Sequence, residues 1–504
     1  MNFFIKVYFW QTTSLIFNIV SLFIVVPYLT QNINQYSIYS LFFGLYTLIN
    51  YLDFGISQSA TTQLVEFYQN KDKKNEIYIL TLFSNILFYI TSVAFLFLAY
   101  GILYPQVYIK NALQEDLLYY KYLFAIGSLF VGQIYFQKIS IAILGIRQME
   151  FLIYRSNTII SIIRLFAILC LNYFGIYSII LYFFILQFLA FLNSIFLYVY
   201  SIRSFGVQLN KNLFLKLNDL GYLKIFKISI VNLLAYLSFI SYYEVDYIYH
   251  SKFNISQTVA LYGISYTILS FIRMAMGSLF SPFLAKRYLY YNDYEGMSQY
   301  NAKVISLTAP IVIFSILLFF FNSNIFILKW VGIEYLKANV IFKYLLLVNL
   351  FAFISYPISE TLILLKKYKQ ILFLSILLPA VYWVFIFMFK NILGVSVIAI
   401  SKFLVFMIAA FFYCIIFFKN YDLKLSKLIK PAFSISISIL WLFISSIYIN
   451  KYLYNQRYSL FVLCIFLFFV YVVSFILLLL TSKMYKNLYL SILSSIFNNY
   501  YKKN

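Results

Sequence analysis

The sequence predicts an all-α polytopic membrane protein, on three observations. Apolar stretches follow one another from Tyr8 to Thr481, the polar intervals between them are short, and hydrophobic residues make up 64% of the chain against 11% charged. A hydrocarbon core about 30 Å thick takes roughly 20 helical residues. Backbone in lipid must satisfy its own hydrogen bonds, which leaves helices or closed barrels. Barrel strands alternate over segments of about ten residues, whereas these runs are long and continuous.

Fourteen transmembrane helices are expected, over residues 8–30, 37–60, 77–104, 118–144, 153–173, 176–200, 226–249, 257–284, 302–321, 340–365, 370–389, 392–418, 432–449 and 459–481. The first is too long for a signal-peptide core and lacks a small-residue cleavage site, so it reads as a retained helix. The longest polar interval, Ser201 to Leu223, separates two sets of six spans. Residues 1–206 form an N-terminal lobe, 207–225 a cytoplasmic amphipathic linker, 226–418 a C-terminal lobe, and 419–504 the last two helices with a tail. In the linker, Leu213, Leu217 and Leu220 alternate with Lys211, Lys216 and Lys224, the pattern of a helix lying in the headgroup layer. Leu488, Ile492, Ile496 and Tyr500 repeat it in the tail. Asn32-Ile33-Asn34-Gln35 resembles Asn254-Ile255-Ser256-Gln257, and Gly55 matches Gly277, which fits two lobes of common origin sharing one orientation.

The net charge of +23 does not imply a nucleic-acid partner, because the basic residues cluster in hinges. Lys71, Lys73 and Lys74; Arg203, Lys211 and Lys216; and Lys366, Lys367 and Lys369 fall on one side, where anionic lipid and the positive-inside rule account for them. Both termini are then cytoplasmic. Cys170, Cys414 and Cys464 lie in apolar runs without paired spacing, so no disulfide or zinc framework is read. Asp53-Phe54-Gly55 copies a kinase tripeptide without its companion motifs. No nucleotide-binding loop, metal-ligand cluster or activated nucleophile is found, so no cofactor is expected beyond a coupling H⁺ or Na⁺.

Polar residues recur at helical spacing in several spans, so one face of each avoids lipid. The first has Gln11, Ser14, Asn18 and Ser21; the second has Tyr46, Asn50, Asp53 and Ser57. The seventh has Asn232, Tyr236, Tyr243 and Asp246, and the eighth has Ser270, Arg273, Gly277 and Ser281. Such stripes serve as interhelical glue or line a polar cavity. Four cations lie within spans, Lys138, Arg164, Arg273 and Lys402, and Arg164 is the deepest. Each would cost roughly 2.5 to 3.5 kcal/mol facing lipid at a helix centre, so water, a carboxylate or an anionic ligand is expected beside it. Lys138 and Arg273 can alternatively snorkel. Of the acidic residues in spans, Glu244 and Asp246 are candidates for cation coupling, with Asp246 leading and a structural salt bridge as its alternative. Glu360 follows Pro357 near a helix end and reads as structural; His250 reads as interfacial.

Four motifs carry a family resemblance. Leu52-Asp53-Phe54-Gly55-Ile56, Ile143-Leu144-Gly145-Ile146-Arg147-Gln148, Asp246 within Tyr243-Glu244-Val245-Asp246, and Leu261-Tyr262-Gly263 resemble segments of the Wzx-type polysaccharide flippases. That family belongs to the multidrug/oligosaccharidyl-lipid/polysaccharide (MOP) exporter superfamily. The likeness covers roughly residues 1–420, and Asn32 to Ser37 lacks the two glycines the family often carries there. It implies a MATE-like arrangement of two six-helix lobes plus two C-terminal helices in a bacterial cytoplasmic membrane. It also implies a cargo of oligosaccharide on undecaprenyl pyrophosphate, destined for O-antigen, capsule or a related glycan, with membrane lipids and possible polymerase and chain-length partners. On that reading Arg164, Arg273, Lys138, Lys402, Asn50 and Asn232 contact the cargo, and Asp246 and Glu244 couple a cation.

Two rival readings compete with it. A multidrug or metabolite antiporter shares the fold, but its cationic cargo would be repelled by four buried cations. A membrane glycosyltransferase or polymerase needs a large outer loop with catalytic groups, and the longest outer interval, Asn322 to Asn339, is short. The chain is therefore expected not to be an enzyme.

Overall fold

The structure is a computed structural model that describes residues 2–53, 55–108, 114–147, 149–205, 237–246, 249, 256–287, 294–364, 367–421, 426–453 and 459–490. All regular structure among them is helical. Eleven stretches are long and apolar enough to cross a membrane, and two of them, Gln114–Ile146 and Lys369–Ile416, each hold two α-helices. The expected count of fourteen is not reached among the described residues: the second span proves short, and the seventh lies largely outside them, as do the 207–225 linker, Asn232 and His250. The side chain of Glu360 lies outside them too.

The chain divides into two compact units, Met1–Gly263 and Ile264–Asn504. The first holds α1 (Asn2–Leu29), α2 (Ile33–Ile49), α3 (Ile56–Gln69), α4 (Lys73–Leu103), α5 (Gln114–Phe130), α6 (Gln133–Ile146), α7 (Phe151–Tyr173) and α8 (Ile179–Phe205). The division falls inside α9 (Ser256–Arg287). Helix ends are capped locally: the Asn32 side chain accepts the backbone N–H groups of Asn34 and Gln35 at 3.1 Å each, and Asp72 accepts that of Asn75 at 3.2 Å. Helix α1 lies along α7, while α3, α4 and α6 enclose a core of Ala60, Leu64, Leu80, Leu82, Phe83, Leu87, Ile139 and Ile143.

The second span departs from expectation. In place of one helix over 37–60, α2 ends at Ile49, a turn follows with Gly55 at φ 77°, and α3 continues to Gln69. That φ is open to glycine at no steric cost, so Gly55 marks a helix break. Tyr46, Asn50, Asp53 and Ser57 consequently do not share one helical face. Likewise, span 118–144 is two helices, α5 and α6, separated at Val131 and Gly132.

The second unit continues with α10 (Tyr294–Phe321), α11 (Ser323–Trp330), α12 (Asn339–Leu364), α13 (Tyr368–Leu393), α14 (Val397–Tyr421), α15 (Ser426–Leu453) and α16 (Leu460–Thr481). The interval expected to be an outer loop is α11 and a 3₁₀ turn over Ile333–Ala338, with Ile325, Phe326, Ile327 and Trp330 buried. Helices α12 and α14 pack together, and α15 and α16 pack on α10 around Phe314, Leu318, Leu442, Leu463, Leu467 and Leu478.

Candidate functional site

The break between α2 and α3 gathers charge. Lys138 on α6 places its ammonium 2.9 Å from Asp53 Oδ2 and donates to the carbonyl of Asn50 at 3.0 Å. Ser57 donates to the same carboxylate oxygen. A carbonyl freed where a helix ends carries partial negative charge, so one lysine satisfies both the interrupted backbone and the buried carboxylate. Asn50 itself is exposed and takes part through its backbone.

Arg164 lies on α7 against α1. Its Nη2 donates to Asn18 Oδ1 and Ser21 Oγ, each at 3.2 Å, and Ser161 donates to the same Asn18 oxygen at 3.3 Å. Its Nε is buried without a hydrogen-bond partner. Among the described residues no carboxylate pairs with it, so neutral acceptors orient a full positive charge that they do not cancel. Of the polar stripe read on the first span, Gln11, Ser14, Asn18 and Ser21, the last two receive this guanidinium.

Glu244 closes a π-helical turn over Ile240–Glu244, the widened winding that often marks functional positions, and Asp246 follows it. Both carboxylates are buried. Tyr51 donates to Glu244 Oε1 at 3.0 Å, and Tyr262 donates to Asp246 Oδ2. Beside Tyr262, Gly263 meets α2 so closely that a Cβ there would stand 2.6 Å from Ser40 Oγ.

In the second unit, Lys402 is fully buried with its ammonium 5.3 Å from the centroid of the Tyr266 ring, an attraction worth more when desolvated. Arg273 lies part-buried on α9. Sequence reasoning missed two features of the first unit. Arg147, read only as part of a turn motif, pairs with Glu76 at 2.6 Å and lies between the rings of Tyr68 and Phe205. Gln133 donates to Tyr46 at 2.7 Å and to Gln187 at 2.6 Å, closing a buried polar knot among α2, α6 and α8. Glutamines at positions 133 and 187 within apolar runs were the available signal.

No protein-family model and no curated protein matches the chain. Solved structures do. The chain is similar to the lipid II flippase MurJ in an inward closed conformation, at a TM-score of 0.67 and 16% identity over 96% of this chain and 98% of that one. It is similar to an inward-facing multidrug resistance MATE family transporter of the MOP superfamily, at 0.59 and 13% over 84% and 94%. A MOP superfamily transporter from Pyrococcus furiosus, described as having a binding pocket of reversed polarity, gives 0.56 and 13% over 85% and 95%. These likenesses establish the fold alone, the all-helical fold seen in those flippase and MATE structures. The Wzx subfamily is not singled out by them.

Proposed function

We propose that the chain is a flippase that carries oligosaccharides linked through pyrophosphate to undecaprenol from the cytoplasmic to the outer leaflet of a bacterial cytoplasmic membrane, for surface-polysaccharide assembly. The observation that carries this reading is the end-to-end likeness to a lipid II flippase. The MATE-type likeness leaves roughly a sixth of the chain unmatched. The charges support an anionic cargo. Lipid rejects a pyrophosphate, and basic side chains at membrane depth lower that barrier.

In this scheme Arg164, Arg273, Lys138 and Lys402 serve the headgroup or acidic sugars, with Asn50 and Asn232 as polar contacts. Asp246, with Glu244, couples H⁺ or Na⁺ to alternating access. Both termini face the cytoplasm, and the polymerase and chain-length regulator of the same pathway are the natural partners.

The test is genetic and chemical. Replacing Arg164 or Arg273 with Ala should trap lipid-linked oligosaccharide in the inner leaflet and abolish surface glycan, with the protein inserted at its normal level. Normal surface glycan in both variants would sink the assignment. Drug hypersensitivity in a deletion strain without a glycan defect would favour the antiporter.

A further inference from the structure

The first turns of α1 and α7 carry two basic side chains that each cross to the other helix. Lys6 of α1 places its ammonium 5.7 Å from the centroid of the Phe151 ring on α7, and Arg155 of α7 places its guanidinium 5.6 Å from that of Trp10 on α1. Lys6 and Trp10 stand one turn apart on their helix, as do Phe151 and Arg155 on theirs, so the two pairs interlock at levels roughly 5 Å apart. Phe9 meets the Trp10 ring edge-on at 5.3 Å between centroids, which steadies the ring that receives Arg155.

Both cations are exposed, and helical spacing puts them at the head of lipid-facing stripes. Arg155 shares one face of α7 with the exposed Ile159, Ile162 and Phe166, and Lys6 borders the exposed Phe9, Ile16 and Val20 of α1. Two apolar stripes thus begin beside two positive charges. Among the described residues neither charge meets a carboxylate: the ion pairs there are Lys138 with Asp53 and Arg147 with Glu76. Aromatic faces hold a cation without neutralising it. A basic side chain that needed only water would snorkel outward along its own helix, whereas these two reach sideways across the seam and are held at a set spacing, open to an anion.

We propose that the seam between the first turns of α1 and α7 binds the phosphodiester headgroup of an anionic phospholipid of the phosphatidylglycerol kind, in the leaflet where both helices begin. Basic side chains between membrane helices take up anionic headgroups, and their hydrogen bonds to phosphate oxygens are of the strong, charge-assisted kind. The headgroup lies between Lys6 and Arg155, and the acyl chains follow the stripes below them. Two stripes suit the two chains of a phospholipid, where a polyprenyl carrier has a single tail and a free phosphate none. Bound there, the lipid ties together two helices whose other polar contacts, Asn18 with Ser161 and Arg164, lie deeper. The site is separate from Arg164, which sits on the opposite face of α7 from Arg155, and it stands whether or not the chain is a flippase.

The full-length protein in a neutral detergent is titrated with phosphatidylglycerol, phosphatidylcholine, undecaprenyl phosphate or inorganic phosphate, and the first bound molecule is counted by native mass spectrometry. The variants are Lys6→Gln/Arg155→Gln, each of its single changes, the charge-keeping Lys6→Arg/Arg155→Lys, and Lys73→Gln/Lys74→Gln, which removes the same charge from exposed positions at the start of α4. Wild type should prefer phosphatidylglycerol to the other three. The double neutral variant should bind it about thirtyfold more weakly and each single variant about fivefold, while the charge-keeping and Lys73/Lys74 variants stay near wild type. An equal loss in the Lys73/Lys74 variant would mean that net charge alone attracts the lipid, and would overturn the site. A wild type that takes undecaprenyl phosphate or inorganic phosphate more tightly would overturn the choice of ligand. Unchanged binding in both single variants refutes the proposal even where the double variant fails to fold. Phosphatidylglycerol should also raise the melting temperature of wild type and leave that of the double neutral variant where it is.

Discussion

Asp53 and Lys138 make the interrupted second span tolerable. A buried ion pair is seldom worth more than an apolar pair of the same shape, but breaking one by removing a single partner leaves a stranded charge, at a cost of about 3 to 5 kcal/mol. Lys138 is about one-fifth exposed, so the lower end applies. Asp53→Asn and Lys138→Met are each expected to lower thermal stability in detergent, and the double variant to recover most of it. Additive losses in the double variant would mean that the two residues act independently. The presence of these ions within apolar runs was legible in the sequence. Their partners were not, because the contact between positions 53 and 138 depends on how separate helices align, and a helical period says nothing of that. Arg147 illustrates the point from the other side: its pairing with Glu76 on α4 leaves no trace in the Ile143 to Gln148 motif.

At the scale of elements, the long apolar runs are helices as their composition implies, and the departures lie where a run conceals a turn. Ile56-Ser57-Gln58-Ser59-Ala60 continues the preceding pattern so smoothly that only Gly55 hints at the break, and a glycine in a helix interior looks the same in sequence as one in a turn. The two glycines that match between the lobes differ in this way. Gly55 sits at φ 77° in the break, whereas Gly277 lies inside α9, where an added Cβ would meet nothing within 4 Å. Gly277→Ala is therefore expected to stabilise the chain by about 0.5 to 1 kcal/mol through helix propensity alone. Gly263→Ala, in the same helix, is expected to do the opposite. Its Cβ would meet Ser40 Oγ at 2.6 Å and Ser40 Cβ at 3.0 Å; the hydroxyl can rotate away, but the Cβ is fixed to α2. Forcing the helices apart should cost about 1 to 3 kcal/mol, and Ser40→Gly should restore the loss. Thermal melts of the three variants in one detergent check the signs, and an unrescued Gly263→Ala would place the cause elsewhere than the α2 contact.

At the scale of the whole molecule, the last two helices are the part for which the sequence offered least, since Leu460–Thr481 is apolar on all sides. Their packing on α10 explains why they stay. Lipid solvates Phe314 and Leu318 as well as Leu442 does, so burial of apolar surface cannot be what holds α15 in place. The polar node can. Asn322 donates to Ser446 at 2.8 Å, and Asn450 donates to Asn322 Oδ1 at 3.2 Å and to the Phe321 carbonyl at 3.1 Å, where α10 ends and its carbonyls lose their helical partners. Further along, Tyr489 donates to the Leu307 carbonyl at 2.6 Å. Truncation after residue 425 would turn these groups toward hydrocarbon. The shortened chain is expected to insert, since its other spans are unchanged, but to melt earlier and to lose export. Asn450→Ala alone should cost about 0.6 kcal/mol, the size of a single interhelical hydrogen bond in a membrane. A truncated chain that retained full export would mean that the preceding helices are sufficient, and would remove the ground for separating this chain from an antiporter.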